Sequence, residues 1–254
     1  MRPDAKRALV TGGAKRIGRA IALDLAAHGF AVAIHCSRSR EDADTLASAI
    51  SAEGGEACVL QADLTDGAQA TRLLEQATSK LGPISLLVNN ASVFEEDSVT
   101  DFTDAVWERH FALHAKAPSI LAREFAKKLP SESEGLIVNL IDQRVWKPTP
   151  RYFSYTLSKG ALWMATRTMA QALAPRIRVN AIGPGPTLAN TRQSEADFHR
   201  QTKSLLLGHG AGLQEFGATI RYLWETPSVT GQMIALDGGQ HLAWQTPDVD
   251  GVAE

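Results

Sequence analysis

Three side chains in the middle of the sequence have types and spacing suited to proton transfer. Tyr155 and Lys159 stand four residues apart in the stretch YTLSK, so that on a helix they would share one face. A free phenol titrates at about pH 10, and a neighbouring ammonium favours its ionised form, which makes this pair a candidate acid–base catalyst. Asp142 stands thirteen residues before the tyrosine, directly after the apolar run GLIVNLI. Its negative charge should raise the affinity of the phenol for its proton, which suits a reaction in which the tyrosine must begin protonated.

A glycine-containing turn near the start, VTGGAKRIGRA, stands between a short apolar run and a stretch of helical period. Strand, turn and helix in this order are typical of dinucleotide sites, because glycines let the backbone approach phosphates and the helix N-terminus adds positive potential. Gly12 and Gly18 lie six positions apart, a spacing that differs from the pattern of two-domain dehydrogenases. We expect Lys15 and Arg16 to provide cationic donors to a phosphate or to the edge of an anionic ligand, and the alternative for Arg16 is a surface role.

The end of the second apolar run helps to choose between dinucleotides. An acidic residue there would bond the adenosine ribose and repel a 2′-phosphate. The chain instead reads IHCSRSRED, with an imidazole, two hydroxyls and a fixed cation on His35, Ser37, Arg38 and Ser39. Hydroxyls and a fixed cation suit a phosphate monoester, so NADPH is favoured over NADH. The alternative is that these residues only cap the next helix.

The composition excludes several classes of protein. The chain has 254 residues, of which 44% are hydrophobic and 21% charged, so we expect one large α/β domain over residues 1–254. Its 26 Lys and Arg residues nearly balance 28 Asp and Glu, which gives no reason to expect nucleic acid or an anionic membrane as a partner. Cys36 and Cys58 lack the spacing of metal ligands and predict reduced, partly buried thiols, and no metal site is expected. No apolar run approaches the roughly 20 residues of a membrane span, so a soluble, cytoplasmic protein is expected.

Short apolar runs alternate with longer segments of helical period along the chain. The runs are nearly all apolar rather than alternating, as expected for parallel strands that are covered on both faces. Repetition of this kind predicts a doubly wound parallel sheet, a Rossmann-like α/β fold with right-handed crossovers. The seven predicted strands are RALVTG, AVAIHC, EACVLQA, ISLLVNN, GLIVNLI, IRVNAI and GQMIALD.

Segments of helical period between these runs predict the helices, at about residues 17–28, 42–52, 67–81, 104–129, 152–174 and 212–225. The helix that carries Tyr155 has an apolar stripe, which we expect to hold the catalytic pair against the sheet. The stripe runs through Leu157, Ala161, Met164, Ala165 and Thr168. The stretch 184–212 is rich in Gly, Pro, Thr and Gln without clear periodicity, which predicts a lid or binding loop.

Several motifs occur in an order that is specific to one family: TGGAKRIG, ADLTD, NNAS, YTLSK, RVNAIGPGP and TGQMIALDGG. Along nearly its whole length the chain resembles the short-chain dehydrogenase/reductase family. The resemblance implies that Tyr155 is the proton donor and acceptor, that Lys159 binds the nicotinamide ribose and tunes the phenol, and that the protein is a homotetramer. The turn, the second strand and the resemblance together predict an NADPH site formed by Gly12, Lys15, Arg16, Ile17, Gly18, His35, Ser37, Arg38, Ser39, Asp63, Leu64, Asn90, Ala91, Ser92, Lys159, Pro184 and Gly185.

Two positions depart from the common pattern of the family, which has a serine at Asp142 and an asparagine at His114. In that family the asparagine, seven residues after a tryptophan (here Trp107), supports a water relay from the lysine. His114 either replaces it or is a packing histidine. The aspartate, the arginine of the first turn and the stretches IHCSRS and NNASVF resemble the pteridine reductases and dihydromonapterin reductases. That branch has an aromatic residue after NNAS that sandwiches the pterin, which implies this role for Phe94, with a loop or core aromatic as the alternative, and contacts to cofactor and substrate for Ser92.

The substrate implied by this branch explains why a carboxylate suits position 142. A ketone reductase places a hydroxyl beside the carbonyl oxygen, and a carboxylate there would repel the developing oxyanion. A pterin is reduced at a C=N bond and its nitrogen leaves the reaction protonated, so a carboxyl group can assist proton delivery. We therefore predict hydride transfer from NADPH to a pterin C=N bond. The predicted catalytic residues are Asp142, Tyr155, Lys159 and His114, and the predicted substrate contacts are Arg16, Ser92, Phe94, Asp142 and Tyr155.

Other interpretations stay open at this point. Asp142 could be a structural cap rather than a catalytic group. The enzyme could reduce a 3-oxoacyl or sugar-like ketone, against which the aspartate argues. The chain could also be a non-catalytic NADPH-binding regulator, against which the intact Tyr155 and Lys159 argue. The sequence does not distinguish which pterin is used, oxidised or dihydro, or whether dihydrofolate is accepted.

Overall fold

The sheet contains the seven strands that the apolar runs predict. In the computed structural model, which describes residues 6–189 and 194–244, they are β1 (Arg7–Val10), β2 (Ala31–Cys36), β3 (Ala57–Gln61), β4 (Leu86–Asn89), β5 (Gly135–Leu140), β6 (Ile177–Pro184) and β7 (Met233–Leu236). Their order is β3-β2-β1-β4-β5-β6-β7, and every neighbouring pair is parallel. The predicted doubly wound α/β fold is confirmed. The strand order reverses at β1 and β4, so a crevice for a ligand is expected beyond their carboxyl ends.

Helices cover both faces of this sheet. The α-helices of the described ranges are α1 (Arg16–Ala27), α2 (Arg40–Ala52), α3 (Gly67–Leu81), α4 (Asp104–Phe111), α5 (Ala117–Lys128), α6 (Phe153–Leu173), α7 (Glu195–Lys203) and α8 (Leu213–Glu225). On one face Leu25 of α1 and Phe216 of α8 are fully buried, and on the other Leu73 of α3 and Phe125 of α5 are buried. Burial of such a side chain contributes about 1.5–3 kcal/mol. No helix of the described ranges is long and apolar enough to cross a membrane.

The predicted helix over 104–129 is present as a helical run from Asp104 to Lys128, and it contains a π-helical turn that the sequence did not indicate. Helices α4 and α5 are separated by a π-helical turn at Ala112–Lys116. Pro118, the second residue of α5, comes just after the π-turn and has no N–H to donate to a carbonyl oxygen of that turn. A π-turn inserts one extra residue into the helical period and is common at functional sites. His114 lies in this turn, and its side chain is fully buried.

The segment 184–212 is not a loop throughout, contrary to the sequence-based expectation. It contains the nine-residue helix α7, whose N-cap Ser194 accepts a hydrogen bond from the Asp197 N–H. Helix α7 has no buried residues and is mostly polar, so no apolar face marks it in the sequence. Residues 190–193 of the predicted lid lie outside the described residues.

The apolar stripe predicted on α6 does not face the sheet. Leu157 and Met164 are 41% and 56% exposed, whereas Tyr155 and Thr166 lie on the buried face. The Thr166 hydroxyl accepts a hydrogen bond of 2.8 Å from the Asn139 side chain on β5, so it is satisfied in the interior. Polar side chains with hydrogen-bond partners can be buried. The prediction from apolar residues alone therefore assigned the wrong face of α6 to the sheet.

Candidate active site

The end of β5 and the first turns of α6 bring the three proposed catalytic side chains together. Tyr155 Oη donates a hydrogen bond of 2.9 Å to Asp142 Oδ2. Lys159 Nζ donates a hydrogen bond of 2.8 Å to the Leu140 carbonyl oxygen, which fixes the ammonium behind the tyrosine. All three side chains are buried, and they border one cavity. The arrangement predicted from these residues is therefore present, with Asp142, just after β5, beside Tyr155 of α6.

The surroundings keep the tyrosine protonated. Burial raises the pKa of Tyr155 well above its usual value of 10, and the charge and hydrogen bond of Asp142 raise it further. Arg144 and a hydrogen bond with Ser92 oppose this rise in pKa. Burial also lowers the pKa of Lys159 to about 8, with Asp142 opposing. Burial and Asp142 therefore outweigh the expected effect of the Lys159 ammonium on the pKa of the phenol, although Nζ lies 5.7 Å from the centre of the tyrosine ring.

Arg144 is a site residue that the sequence did not indicate. Asp142 Oδ1 accepts a hydrogen bond of 2.8 Å from the Arg144 N–H and so caps the short 3₁₀ turn Gln143–Val145. The Arg144 guanidinium also contacts Asp142 Oδ2 at 3.3 Å. Asp142 therefore caps a turn with one oxygen and binds the phenol with the other, so the structural and catalytic interpretations are compatible. The guanidinium carbon lies 5.3 Å from the ring centres of both Phe94 and Tyr152.

Aromatic rings form one wall of the site. Phe94 is half-buried, stacks on Tyr152 with ring centres 4.2 Å apart, and meets the edge of Tyr155 at 4.8 Å. Tyr152 immediately precedes α6 and has φ of +60°, a left-handed conformation that is uncommon for a side chain of this size. Such backbone strain is frequent at functional sites. A flat ring could stack against this wall. The position of Tyr152 in the wall depends on its left-handed backbone conformation, which no sequence pattern indicates.

A cavity of about 570 Å³ contains this centre. Arg16 lies on its border, and its guanidinium donates hydrogen bonds of 3.0 and 3.2 Å to the carbonyl oxygens of Ala189 and Leu188, so the first turn is tied to the predicted lid. The predicted residues that line the cavity are Gly12, Lys15, Arg16, Ile17, Gly18, Asn90, Ala91, Ser92, Phe94, Asp142, Tyr155, Lys159, Pro184 and Gly185. Lining residues that sequence reasoning missed include Gln143, Arg144, Tyr152, Thr187, Leu188, Phe198, Gln201 and Gln240.

A second cleft, of about 1300 Å³, adjoins the first. The two share Gly12, Lys15, Ala91 and Ser92, and together they form a long groove past the ends of the strands. The predicted residues at its far part are His35, Ser37, Arg38, Ser39, Asp63 and Leu64. Ser39 occupies the N-cap position of α2 without a side-chain cap bond, which leaves its hydroxyl available to a ligand. Lys15 forms an exposed ion pair of 2.9 Å with Asp42, a partner that the sequence did not indicate.

The glycine turn is shaped by two polar side chains. Asn90 Nδ2 donates hydrogen bonds of 2.9 and 3.0 Å to the carbonyl oxygens of Thr11 and Gly12. Gly12 has φ of +60°, and a Cβ on Gly18 would overlap the Gly12 carbonyl oxygen. His35 Nδ1 accepts a hydrogen bond of 3.1 Å from the Gly12 N–H. The turn therefore requires glycine at positions 12 and 18.

His35 supports this turn from inside the protein. Its Nε2 contacts the Ala62 carbonyl oxygen at 3.1 Å, so both ring nitrogens are bonded to backbone groups. Burial lowers the pKa of His35 to about 4, and the ring is neutral at physiological pH. With both nitrogens engaged, the contribution of His35 to a bound dinucleotide is to hold the turn rather than to contact a phosphate.

His114 lies beneath the site and lines neither cavity. Its Nε2 accepts a hydrogen bond of 3.1 Å from the Val93 N–H and lies 2.9 Å from Ser92 Oγ, while Nδ1 lies 2.9 Å from Ser158 Oγ. Burial, and then the charge of Lys159, lower the pKa of His114 well below 6.5. Its packing role is visible in these contacts, and its predicted role in a proton relay stays a prediction.

The groove fits a dinucleotide. The turn from Gly12 to Gly18 leaves backbone space that a Cβ at either position would reduce. Ser37 and Arg38 are exposed at the far cleft, whereas Lys159 and Tyr155 lie in the near cavity. Donors for phosphates and for a nicotinamide ribose therefore stand at opposite parts of one groove. Within the described ranges no group of three or more His, Cys, Asp or Glu side chains is placed to hold a metal ion.

Comparisons with known proteins place this site in one family. A family model described as short chain dehydrogenase matches residues 6–200. The crystal structure of FolM alternative dihydrofolate reductase 1 from Brucella suis in complex with NADP is 59% identical, with a TM-score of 0.94, and covers 98% of this chain and 100% of that one. The protein of the same name from Brucella canis, complexed with NADP, is 59% identical with a TM-score of 0.92, covering 97% and 98%. A short-chain type dehydrogenase/reductase from Picea abies is 33% identical over 247 residues, which is 92% of this chain and 91% of that protein.

Proposed function

Because the chain belongs to the short-chain dehydrogenase family, we propose that it is an NADPH-dependent reductase that transfers hydride to a C=N bond of a pterin, with dihydrofolate among its substrates. The observation that carries the proposal is the buried hydrogen bond between Tyr155 Oη and Asp142 Oδ2. Two solved relatives support it, since they are 59% identical, bound to NADP and described as alternative dihydrofolate reductases.

The two cavities supply the residues that would hold the dinucleotide. The turn from Gly12 to Gly18 would carry its diphosphate, and Arg38 with Ser37 and Ser39 would hold the 2′-phosphate. Lys159 would bind the nicotinamide ribose, with Pro184 and Gly185 beside the nicotinamide. Asp63 and Leu64 would lie at the adenine, and Asn90 and Ala91 at a ribose. When bound, the nicotinamide would supply the hydride.

Tyr155 and Asp142 control the proton of the reaction. The high pKa of Tyr155 keeps its proton on the phenol at neutral pH. Since Asp142 Oδ2 accepts this O–H, the proton lies between two oxygens that face the cavity. A pterin nitrogen in the cavity would take this proton as the neighbouring carbon accepts hydride, so that the C=N bond becomes CH–NH. Phe94 would stack on the flat ring and fix it over the reacting centre.

The position of Asp142 argues against a ketone substrate. Reduction of a carbonyl group places negative charge on its oxygen, and the site needs donors directed at that oxygen. A carboxylate within hydrogen-bonding distance of the tyrosine would oppose such charge. A pterin nitrogen that is protonated as hydride arrives carries positive rather than negative charge, so the same carboxylate is favourable. A non-catalytic regulator would have no use for a protonated Tyr155 held against Asp142.

Substrate profiling tests the proposal. Oxidation of NADPH would be followed with purified protein against dihydromonapterin, dihydrobiopterin, biopterin, dihydrofolate and several 3-oxoacyl and sugar-like ketones. We expect turnover with at least one dihydropterin and none with the ketones. Tyr155→Phe serves as the matched control, because it removes the acid while leaving the ring that packs on Phe94. Turnover restricted to ketones would exclude the pterin assignment. No turnover with any of these compounds would favour a non-catalytic NADPH-binding regulator.

The family resemblance also supports a cytoplasmic homotetramer as part of this proposal. Leu157 and Met164 on α6, and Leu242 and Trp244 near the end of the described chain, are exposed apolar side chains that suit contacts between subunits. Light scattering coupled to size exclusion measures the mass of the assembly, and fractionation of cells measures its location. A monomer in solution would remove the tetramer from the proposal without affecting the substrate.

A further inference from the structure

Two fully buried histidines lie side by side beneath the aromatic wall. His110 on α4 and His114 on the π-turn are four residues apart, and their rings are stacked with centres 5.5 Å apart. Each Nδ1 faces a serine of α6: that of His110 lies 2.7 Å from Ser154 Oγ, and that of His114 lies 2.9 Å from Ser158 Oγ. Each Nε2 faces the loop that carries Phe94. The pair therefore links that loop to the helix of the catalytic tyrosine.

The hydrogen bonds determine the tautomer of each ring. The Val93 N–H donates to His114 Nε2 at 3.1 Å, and the Glu95 N–H points to His110 Nε2 at 3.4 Å. A backbone N–H can only donate, so each Nε2 is an acceptor and the ring proton lies on Nδ1. The α6 hydroxyls complete this pattern, because each serine has an acceptor of its own. Ser158 Oγ donates to the Tyr155 carbonyl oxygen at 2.7 Å, and Ser154 Oγ donates to Asp97.

Phe94 is the residue between the two backbone groups that the histidines hold. Its neighbours Val93 and Glu95 are fixed by His114 and His110, and its ring contacts Tyr155. We propose that His110 and His114 are positioning residues that set the distance between the Phe94 ring and the Tyr155 hydroxyl, and so the position of the bound pterin. The second half of this statement rests on the proposed function. A histidine with only a packing role would require the right volume at this position. It would not require a hydrogen-bond acceptor on one ring nitrogen and a donor on the other.

Substitution by asparagine or by glutamine tests the two ring nitrogens of each histidine separately. In His114→Gln the side-chain oxygen can reach the position of Nε2, which keeps the acceptor for Val93 and loses the contact with Ser158. In His114→Asn the amide can reach the position of Nδ1, which keeps Ser158 and leaves the Val93 N–H without its acceptor. The same pair of substitutions at His110 tests the bond to Glu95. His28→Gln, at an exposed histidine at the end of α1, is the matched control.

The first measurement is hydrogen–deuterium exchange of the loop peptide that contains residues 92–97, which requires no substrate. We expect His114→Asn to speed exchange of this peptide by about tenfold, because an acceptor worth about 1.4 kcal/mol is lost, and His114→Gln to remain within about threefold of the wild type. Equal exchange in the Asn and Gln variants would overturn the inference. If His114→Asn fails to fold, His110→Asn replaces it, because it removes the acceptor of the Glu95 N–H in the same loop. Faster exchange than in His110→Gln is expected, and equal exchange in these two variants would overturn the inference.

The second measurement is steady-state kinetics with the dihydropterin that the wild type reduces. We expect His114→Asn to raise the pterin KM by about tenfold with little change in NADPH affinity, and His114→Gln to restore most of the pterin affinity. A weaker NADPH affinity with an unchanged pterin KM would overturn the positioning role. If the wild type reduces no pterin, the proposed function fails, whereas the exchange data still decide whether the histidines hold the loop.

Discussion

Acidification should destabilise the fold through one buried histidine beneath the dinucleotide turn. His35 is almost fully buried, with both ring nitrogens bonded to backbone groups, and its pKa falls from 6.5 to about 4. Above pH 6.5 the ring is neutral in the folded and in the unfolded chain, so His35 contributes no pH dependence there. As the pH falls from 6.5 towards 4, the unfolded chain binds a proton that the folded chain does not, and stability decreases.

The pKa difference determines the size of this loss. Each pKa unit corresponds to about 1.4 kcal/mol, so the decrease in the free energy of unfolding reaches about 3 kcal/mol below pH 4 and about 2 kcal/mol at pH 5. A loss of this size is a large part of the total stability of a typical domain. It is also local in origin, because a protonated Nδ1 could not accept from the Gly12 N–H and the glycine turn would lose its support.

Urea unfolding at about pH 7.5 and about pH 5 measures this effect. Other groups titrate in the same range, so the quantity to compare is the difference between the wild type and His35→Asn, whose amide oxygen can still accept from the Gly12 N–H. We expect the stability advantage of the wild type to shrink by about 2 kcal/mol between the two pH values. His199→Gln, at an exposed histidine on α7, controls for the loss of a histidine as such. An advantage that stays constant with pH would refute the reasoning about His35.

Further substitutions test the chemistry and the cofactor site. Asp142→Ser should lower pterin turnover by about a hundredfold or more in stopped-flow assays and leave the NADPH Kd nearly unchanged, and an unchanged rate would remove Asp142 from the chemistry. Arg38→Ala should weaken NADPH binding by about tenfold or more in titration calorimetry while NADH binding stays the same, because one charged hydrogen bond is lost; equal losses for both would contradict a 2′-phosphate contact. Gly18→Ala should lower the free energy of unfolding by about 1–3 kcal/mol and weaken NADPH binding, since its Cβ would overlap the Gly12 carbonyl oxygen. An unchanged free energy in urea unfolding would contradict the tight turn.

Periodicity and motif spacing were sufficient to predict the sheet and the meeting of Tyr155, Lys159 and Asp142 at one of its edges. Seven apolar runs became seven parallel strands, because a run that is apolar on both faces has few alternatives to the middle of a sheet. Tyr155, Lys159 and Asp142 meet because a parallel sheet brings the end of β5 and the start of the following helix to one edge. Both inferences depend on local signals that the fold preserves.

The errors arose where tertiary contacts override local signals. Helix α7 has no buried face, so its polar residues gave no helical period to detect. The exposed apolar residues of α6 suggested a buried face, whereas the buried face carries polar groups such as Thr166 that bond to the strands. Arg144 lies in the site because Asp142 caps the short turn that contains it, and Tyr152 lies there because its backbone is left-handed. Neither feature has a sequence pattern of its own.

The charges and hydrogen bonds around Asp142 support the proposed preference of this site for a nitrogen heterocycle. Burying a carboxylate is costly unless hydrogen bonds and opposite charges compensate, and Asp142 has the backbone N–H and guanidinium of Arg144 together with the Tyr155 hydroxyl. The compensation keeps negative charge next to a phenol whose pKa is already high. Negative charge that developed on a substrate oxygen beside Asp142 would be opposed by this carboxylate, whereas a protonated ring nitrogen at the same position would be stabilised by it. We propose that the Asp142 carboxylate therefore favours a reaction in which positive rather than negative charge develops beside it.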